Sequence, residues 1–331
     1  MRKLFITRVR EGALLAISTV LPAAQINPDI QVNVELVTVA CAVDTRDGEP
    51  ARNLKAEDFK LLDNGQPTAI RNLWQESDLP LTIALVVDVS GSQATYIRSH
   101  REAIAQFLRQ VVGPRDRVMV VEVAEKSWLL SGLSGSISDL NAAVEQIGLS
   151  AGKQSPVLGP ACRNNNFPHS CGGTALWHGL YYTARELKPV EGRKAIVVLS
   201  DGLDTGSDIR LDSLIEMAQS AGTVVYSIKY ASPMRFLSIG GAIAQAVSRG
   251  LERVSRETGG LVFLNPGHKT PEVFSKIEFE LRNLYVLGFT PPADARDGRF
   301  HRLEVTTTRA DLRVRSRTGY WASGMEVGQP K

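Results

Sequence analysis

Apolar residues follow two different spacings in the middle of the chain. Residues 81–87 form a continuous apolar run, which is typical of a strand buried on both faces by helices. The apolar residues that come next recur at helical spacing: Ile97, Ile104, Phe107, Leu108 and Val111. Gly113 and Pro114 then mark the end of that helix. This part of the chain therefore begins with a buried strand followed by an amphipathic helix.

The same alternation continues to about residue 284. Further strands are predicted at residues 118–123, 195–199, 223–228 and 261–264, and further helices at residues 174–187, 211–221 and 270–284. Strands that alternate with helices favour an α/β fold with a doubly wound, mainly parallel sheet. We assign this Rossmann-like domain to residues 79–284.

The two ends of the chain have a different pattern. Short strands rich in β-branched residues are predicted at 32–43, 59–62 and 70–74, with turns at residues 47–48 and 63–65. Similar strands are predicted at 285–289, 300–307 and 312–317. The first of these segments is too short to close a sandwich alone. We therefore expect residues 25–78 and 285–322 to form one small β-sandwich-like domain, followed by a tail at 323–331.

The first 24 residues have the layout of a secretory signal peptide. A basic stretch from Arg2 to Arg10 precedes an apolar stretch, and the small residues Ala23 and Ala24 mark a cleavage site. The apolar stretch is too short to span a membrane, and no later segment reaches the ~20 apolar residues that a span requires. The sequence thus predicts an exported protein, in the periplasm, on the cell surface or outside the cell, with no transmembrane span after cleavage.

Composition and charge exclude several other classes. With 43% hydrophobic and 22% charged residues, the chain is a folded globular protein and not a disordered or collagen-like one. The chain has 38 basic and 35 acidic residues, and the first 24 residues hold four basic and one acidic of these, so the remainder is neutral. A neutral body gives no general attraction to nucleic acid, and we expect no nucleic-acid partner.

Oxygen-bearing side chains follow the buried strands. Asp88, Ser90 and Ser92 come directly after the first strand, Thr174 opens a helix, and Asp201 follows the strand at 195–199. Ligands of such sheets bind at the carboxyl ends of the strands, where these loops meet. Carboxylate and hydroxyl oxygens suit Mg²⁺, Mn²⁺ or Ca²⁺. The sequence therefore predicts a divalent cation site, with Mg²⁺ as the first choice.

This pattern resembles the von Willebrand factor A (VWA) domain family, and in particular its bacterial exported VWFA-related subgroup. The metal-ion-dependent adhesion site of that family uses Asp-x-Ser-x-Ser, a later Thr and a later Asp, and each position has its match in the five residues just named. The resemblance implies that the Ser and Thr hydroxyls are direct ligands, while the carboxylates often act through water. Gly173 and Asp204 are expected to lie next to these ligands and hold them in position without binding the metal themselves.

The resemblance also implies a function and leaves alternatives. An exported adhesion or assembly module would use the metal to capture an Asp or Glu carboxylate of a partner protein, without catalysis. One alternative is a structural envelope component whose metal site only stabilises the fold or is degenerate. A remote alternative is a haloacid-dehalogenase-like phosphatase with Asp88 as nucleophile, but Ser90 stands where that family needs a second Asp.

Three cysteines add one further prediction. In an oxidising compartment, Cys162 and Cys171 are expected to form a disulfide that closes a polar loop. The alternative is a zinc site with His169 and His178, although the spacing matches no common structural zinc site. Cys41 lies in an alternating strand-like run and is expected to be a buried free thiol.

Two loops and one basic stripe are further features of the sequence. The insert at residues 149–171 lies ahead of Thr174 and could contact a ligand, and the Gly-rich stretch at 233–241 is expected to be a connection. Arg313, Arg315 and Arg317 alternate along a late strand, and we expect them to form a solvated face.

Overall fold

A computed structural model describes residues 36–75, 79–149, 156–159, 173–230, 239–292 and 297–322, with backbone alone at 111 and 239–248. These residues belong to one compact unit, Glu35–Lys331. The predicted signal peptide, the Cys162–Cys171 disulfide and the tail at 323–331 lie outside the described residues. The domain boundaries proposed from the sequence stay predictions.

The centre of the molecule is a six-stranded sheet in the order β10-β9-β8-β5-β6-β7. Its strands are β5 (Leu81–Asp88), β6 (Arg117–Val123), β7 (Ser127–Ser134), β8 (Arg193–Ser200), β9 (Thr223–Lys229) and β10 (Val262–Leu264). All neighbours pair in parallel except β7, which runs antiparallel along β6. The prediction of a mainly parallel sheet is confirmed.

Helices cover both faces of this sheet. One face packs against α1 (Ile97–Val111), α2 (Ile137–Gln146) and α6 (Thr270–Arg282). The other packs against α3 (Leu176–Leu187), α4 (Leu211–Ser220) and α5 (Ile239–Thr258). Alternate residues of β5 enter the two cores, Leu85 on one face and Val86 on the other. This two-sided burial explains why β5 is apolar at successive positions.

The two ends of the chain supply two four-stranded antiparallel sheets, ordered β13-β1-β11-β4 and β14-β12-β2-β3. The strands are β1 (Val37–Thr45), β2 (Phe59–Asp63), β3 (Gln66–Pro67), β4 (Ile70–Trp74), β11 (Tyr285–Phe289), β12 (Phe300–Thr307), β13 (Leu312–Ser316) and β14 (Gly319–Trp321). β1 pairs with both β11 and β13, and β2 pairs with β12. A shared core with Val39, Leu61, Leu287 and Val305 lies between the sheets. Strands from the two ends therefore pair as expected, and Cys41 is a buried free thiol within this core.

Two expectations need correction. Residues 239–241, which the sequence predicts to belong to a connection, form the start of helix α5. Arg315 and Arg317 do not lie on a solvated face. The Arg315 guanidinium bonds to the carboxylates of Asp44 and Glu280, and Arg317 donates to main-chain carbonyls. Only Arg313 of the three is exposed.

Candidate metal site

The carboxyl ends of β5 and β8 place a buried carboxylate at the centre of the sheet edge. Asp88 is the last residue of β5 and is 0% exposed. Its Oδ1 accepts a hydrogen bond from the Ser90 amide at 2.9 Å, and its Oδ2 accepts one from the Ser200 hydroxyl at 2.6 Å. The carboxylate is therefore fixed by its own loop and by the neighbouring strand.

Ser200 is a site residue that the sequence analysis missed. It ends β8, and besides donating to Asp88 its Oγ accepts a hydrogen bond from the Gly202 amide at 2.9 Å. It thereby joins Asp88 to the turn that begins at Asp201. The signal in the sequence was a hydroxyl residue at the end of an otherwise apolar buried strand.

The two serines of the first loop lie side by side. The Oγ atoms of Ser90 and Ser92 are 3.2 Å apart, and both side chains are partly exposed. A Ser90 O to Gln93 N hydrogen bond of 2.8 Å closes the turn that brings them together. Two adjacent hydroxyl oxygens that reach solvent are a suitable pair of neutral ligands for a hard cation.

Thr174 lies on a second loop, which hydrogen bonds tie to the third loop. The Thr174 carbonyl accepts hydrogen bonds from the amides of Thr205 and Gly206, both at 3.0 Å. The Thr174 amide in turn donates to the Thr205 hydroxyl at 3.0 Å. A Cβ at Gly173 would lie 2.5 Å from that same hydroxyl oxygen, so a side chain at this position would displace the clamp. The backbone of Thr174 is fixed, and its hydroxyl has no hydrogen-bond partner among the described residues.

The third loop contains Asp201 and Asp204, and their side chains make different contacts. Asp201 is 6% exposed, and its Oδ1 accepts a hydrogen bond from the Leu203 amide at 3.0 Å. Asp204 accepts from the Trp177 amide at 3.0 Å and from the Ser207 hydroxyl, and so caps the first turn of α3. Its recorded contacts anchor the helix that follows Thr174, which fits a supporting position.

The electrostatics of the site favour a cation. The pKa of Asp88 is raised to about 6, mainly by burial and also by the nearby charge of Asp201, while the hydrogen bonds from Ser200 and Ser90 oppose the shift. None of these main contributions comes from a basic residue. The neighbouring buried Lys229, on β9, has Glu252 among its partners, at 3.0 Å. A buried carboxylate beside a second carboxylate is costly unless a positive charge offsets it.

The donor set decides what kind of cation fits. Among the described residues, no cluster of three or more His, Cys, Asp or Glu side chains could hold a metal. A metal bound here would therefore depend on hydroxyl oxygens in addition to Asp88 and Asp201. Such an all-oxygen set suits Mg²⁺, Ca²⁺ or Mn²⁺ better than a soft metal.

The order of elements and the three loops agree with the architecture that the VWA resemblance implies. The central part of the chain thus has the doubly wound α/β fold that this resemblance implies. His178, which was considered as a zinc ligand, is buried in α3 and stands 3.7 Å from Asp208. Its proposed zinc partners lie outside the described residues.

Comparisons with known proteins give weak matches. No family model and no curated protein matches the chain. Among solved structures, BatB from Bacteroides thetaiotaomicron aligns with 13% identity and a TM-score of 0.43, over 61% of this chain and 100% of that one. An aerotolerance-related membrane protein from Bacteroides fragilis aligns with 16% identity and a TM-score of 0.43, over 61% and 98%.

A third match is a proximal thread matrix protein from the mussel byssus, whose structure has a zinc-occupied MIDAS motif. It aligns with 14% identity and a TM-score of 0.43, over 66% of this chain and 49% of that one. Likeness at this level carries no argument about ligand or partner. We also find no helix among the described residues that is both long and apolar enough to cross a membrane.

Proposed function

We propose that this protein is an exported binding module that holds a divalent cation, with Mg²⁺ as first choice, at Asp88, Ser90, Ser92, Thr174 and Asp201. The observation that carries the proposal is the fully buried Asp88 carboxylate, which has Asp201 nearby and no basic residue among its main electrostatic neighbours. The paired serine hydroxyls at 3.2 Å supply neutral ligands on the solvent side.

The ligand set also suggests what the metal would bind. Hydroxyl ligands donate no charge, so a cation held by them stays strongly electropositive toward an incoming anion. Ser90, Ser92 and Thr174 are partly exposed, so we expect an oxygen from outside to reach a cation that they hold. We therefore expect the partner to be a protein that offers an Asp or Glu carboxylate, in adhesion or assembly and without catalysis. Export follows from the pattern of residues 1–24.

The first experiment is calorimetric titration of Mg²⁺, Mn²⁺ and Ca²⁺ into metal-free protein. We expect one-site binding that is lost in Asp88→Ala and weakened in Thr174→Ala. Asp47→Ala and Thr306→Ala are matched controls, because both residues are exposed and distant in sequence from the three loops. Absence of binding in protein that circular dichroism shows to be folded would refute the metal site.

A second experiment separates a binding module from a stabilising metal site. In the Mn²⁺-loaded protein, water-proton relaxation reports the water molecules that remain on the metal. A short peptide with one Asp should lower the relaxation enhancement, whereas the same peptide with Asn should not. If neither peptide changes it while Mn²⁺ still raises the melting temperature, the stabilising role is supported instead.

A further inference from the structure

A cavity of about 470 Å³ lies at the amino ends of the central parallel strands, whereas Asp88 lies at their carboxyl ends. It opens where β8 and β9 begin, and its wall includes Arg193, Lys194 and Thr223 from those strands, together with Arg317 after β13. Its volume is in the range of pockets that bind small molecules.

The wall of this cavity is strongly basic. Lys188, Arg193, Lys194 and Arg317 all line it, and no Asp or Glu occurs among the described residues of the wall. A concentration of one sign of charge in a partly enclosed space attracts a counter-ion.

The basic groups are held in place mainly by carbonyl oxygens. Arg317 donates to the carbonyls of Thr38 at 2.7 Å and Gln219 at 3.1 Å, and Lys194 donates to the carbonyl of Val190 at 2.6 Å. Carbonyls fix the direction of these side chains but do not neutralise them. Burial accordingly lowers the pKa of Lys194, and it lowers that of Arg317 to about 10.

The wall contains buried polar atoms without a hydrogen-bond partner. Nε of Arg317 and Oγ1 of Thr223, a residue that is only 2% exposed, are among them. Thr223 is the direct cross-strand partner of Lys194, so the hydroxyl and the ammonium come from neighbouring positions on the same face. Buried polar groups without partners are rare in folded proteins, so these two atoms call for an explanation.

We propose that this cavity binds a small oxyanion, a phosphate or carboxylate group, between Lys194, Arg317 and Thr223. The two cations supply the charge, and the Thr223 hydroxyl donates a hydrogen bond. Charge-assisted hydrogen bonds of this kind are stronger than neutral ones. The site is separate from the metal loops and does not depend on the function proposed for them.

The test is calorimetric titration of sodium phosphate and, separately, sodium succinate into the full chain at constant ionic strength. The protein is freed of divalent metal and then dialysed into buffer without chelator, because a chelator is itself an anion. Saturable one-site binding of either anion supports the proposal, and comparison of the two identifies which group the cavity prefers. No saturable binding of either anion in folded protein would overturn it.

Variants locate the bound anion. Lys194→Gln should weaken binding roughly tenfold, and Thr223→Val roughly three- to tenfold, as expected for loss of one charged or one neutral hydrogen bond. Thr223→Val removes a hydroxyl that has no partner, so the fold should tolerate it. Arg313→Gln, an exposed change on β13, should leave affinity unchanged. Equal affinities in all three variants and the wild type would place the anion elsewhere and refute the proposal.

Discussion

A buried histidine should make the stability of this protein depend on pH. His100 lies in α1, is 0% exposed and packs against the rings of Tyr96 and Tyr230 with centroids 6.1 and 4.4 Å away. Both of its ring nitrogens are buried without a hydrogen-bond partner. Burial alone lowers the pKa of His100 from 6.5 to about 4.

The sign and size of the effect follow from this shift. The folded state holds His100 neutral, whereas the unfolded state takes up a proton below pH 6.5. Stability from this group is therefore complete above pH 6.5 and is lost as the pH falls toward 4. A shift of 6.5 minus about 4 corresponds to a loss of about 3 kcal/mol across the window.

The assay is urea unfolding followed by tryptophan fluorescence at several pH values between 7.5 and 4.5, in metal-free protein. His100→Phe keeps a ring between the two tyrosines and removes the titrating group. The difference in unfolding free energy between variant and wild type should grow by about 2 to 3 kcal/mol in favour of the variant as the pH falls. Other titrating groups, Asp88 among them, cancel in this difference.

His268→Gln is the matched control, because His268 is exposed. Its difference from the wild type should stay constant with pH. A constant difference for His100→Phe as well would show that His100 is not held neutral by burial, and the reasoning would be wrong.

Three further substitutions test particular contacts of the fold by the same unfolding measurement. Gly179→Ala places a Cβ 2.6 Å from Val123 Cγ2 and should lower the unfolding free energy by about 1 to 3 kcal/mol. Gly132→Ala, whose Cβ would meet no atom within 4 Å, should lower it less. Equal losses would show that Gly179 is not crowded. Asp204→Ala removes the cap of α3 and should lower the unfolding free energy by about 1 to 2 kcal/mol. Asp47→Ala is the control and should leave it unchanged. No loss in Asp204→Ala would show that the cap does not stabilise the fold. Arg315→Gln leaves Glu280 without its cation and should lower the unfolding free energy by roughly 2 to 3 kcal/mol, because the Arg315 side chain is only 22% exposed. Arg313→Gln should leave the unfolding free energy unchanged. Equal values for the two variants would show that the ion pair does not stabilise the fold.

The sequence predicted best those elements whose burial is simple. β5 and β8 are covered by helices on both faces, so their apolar runs are unbroken and easy to assign. β7 lies at the edge of the sheet and is only partly buried, and its serines and glycine hide the strand pattern. The pattern of apolar residues predicted neither α2 nor the body of α5. A Gly-Gly pair near the start of α5 weakens its helical signal.

The candidate site shows the same division. Asp88, Ser90 and Ser92 are close in sequence, so their spacing alone predicts a cluster. Ser200 was not predicted as a site residue, because its contact with Asp88 depends on the parallel pairing of β8 with β5. The basic stripe was misinterpreted for a similar reason. Arg315 meets Asp44, which is 271 residues away, and only the fold brings them together.

The two proposed sites lie at opposite ends of the same strand. Arg193 and Lys194 begin β8, and Ser200 ends it, so the cavity and the metal loops are separated by most of an eight-residue strand. At about 3.3 Å per residue this is roughly 20 Å, well beyond direct contact. A metal bound beside Ser200 would not touch an anion bound beside Lys194. In the double variant, the loss of metal affinity should therefore equal that of Asp88→Ala alone, and the loss of anion affinity should equal that of Lys194→Gln alone. Loss of both activities from either single variant would mean that β8 couples the two edges of the sheet.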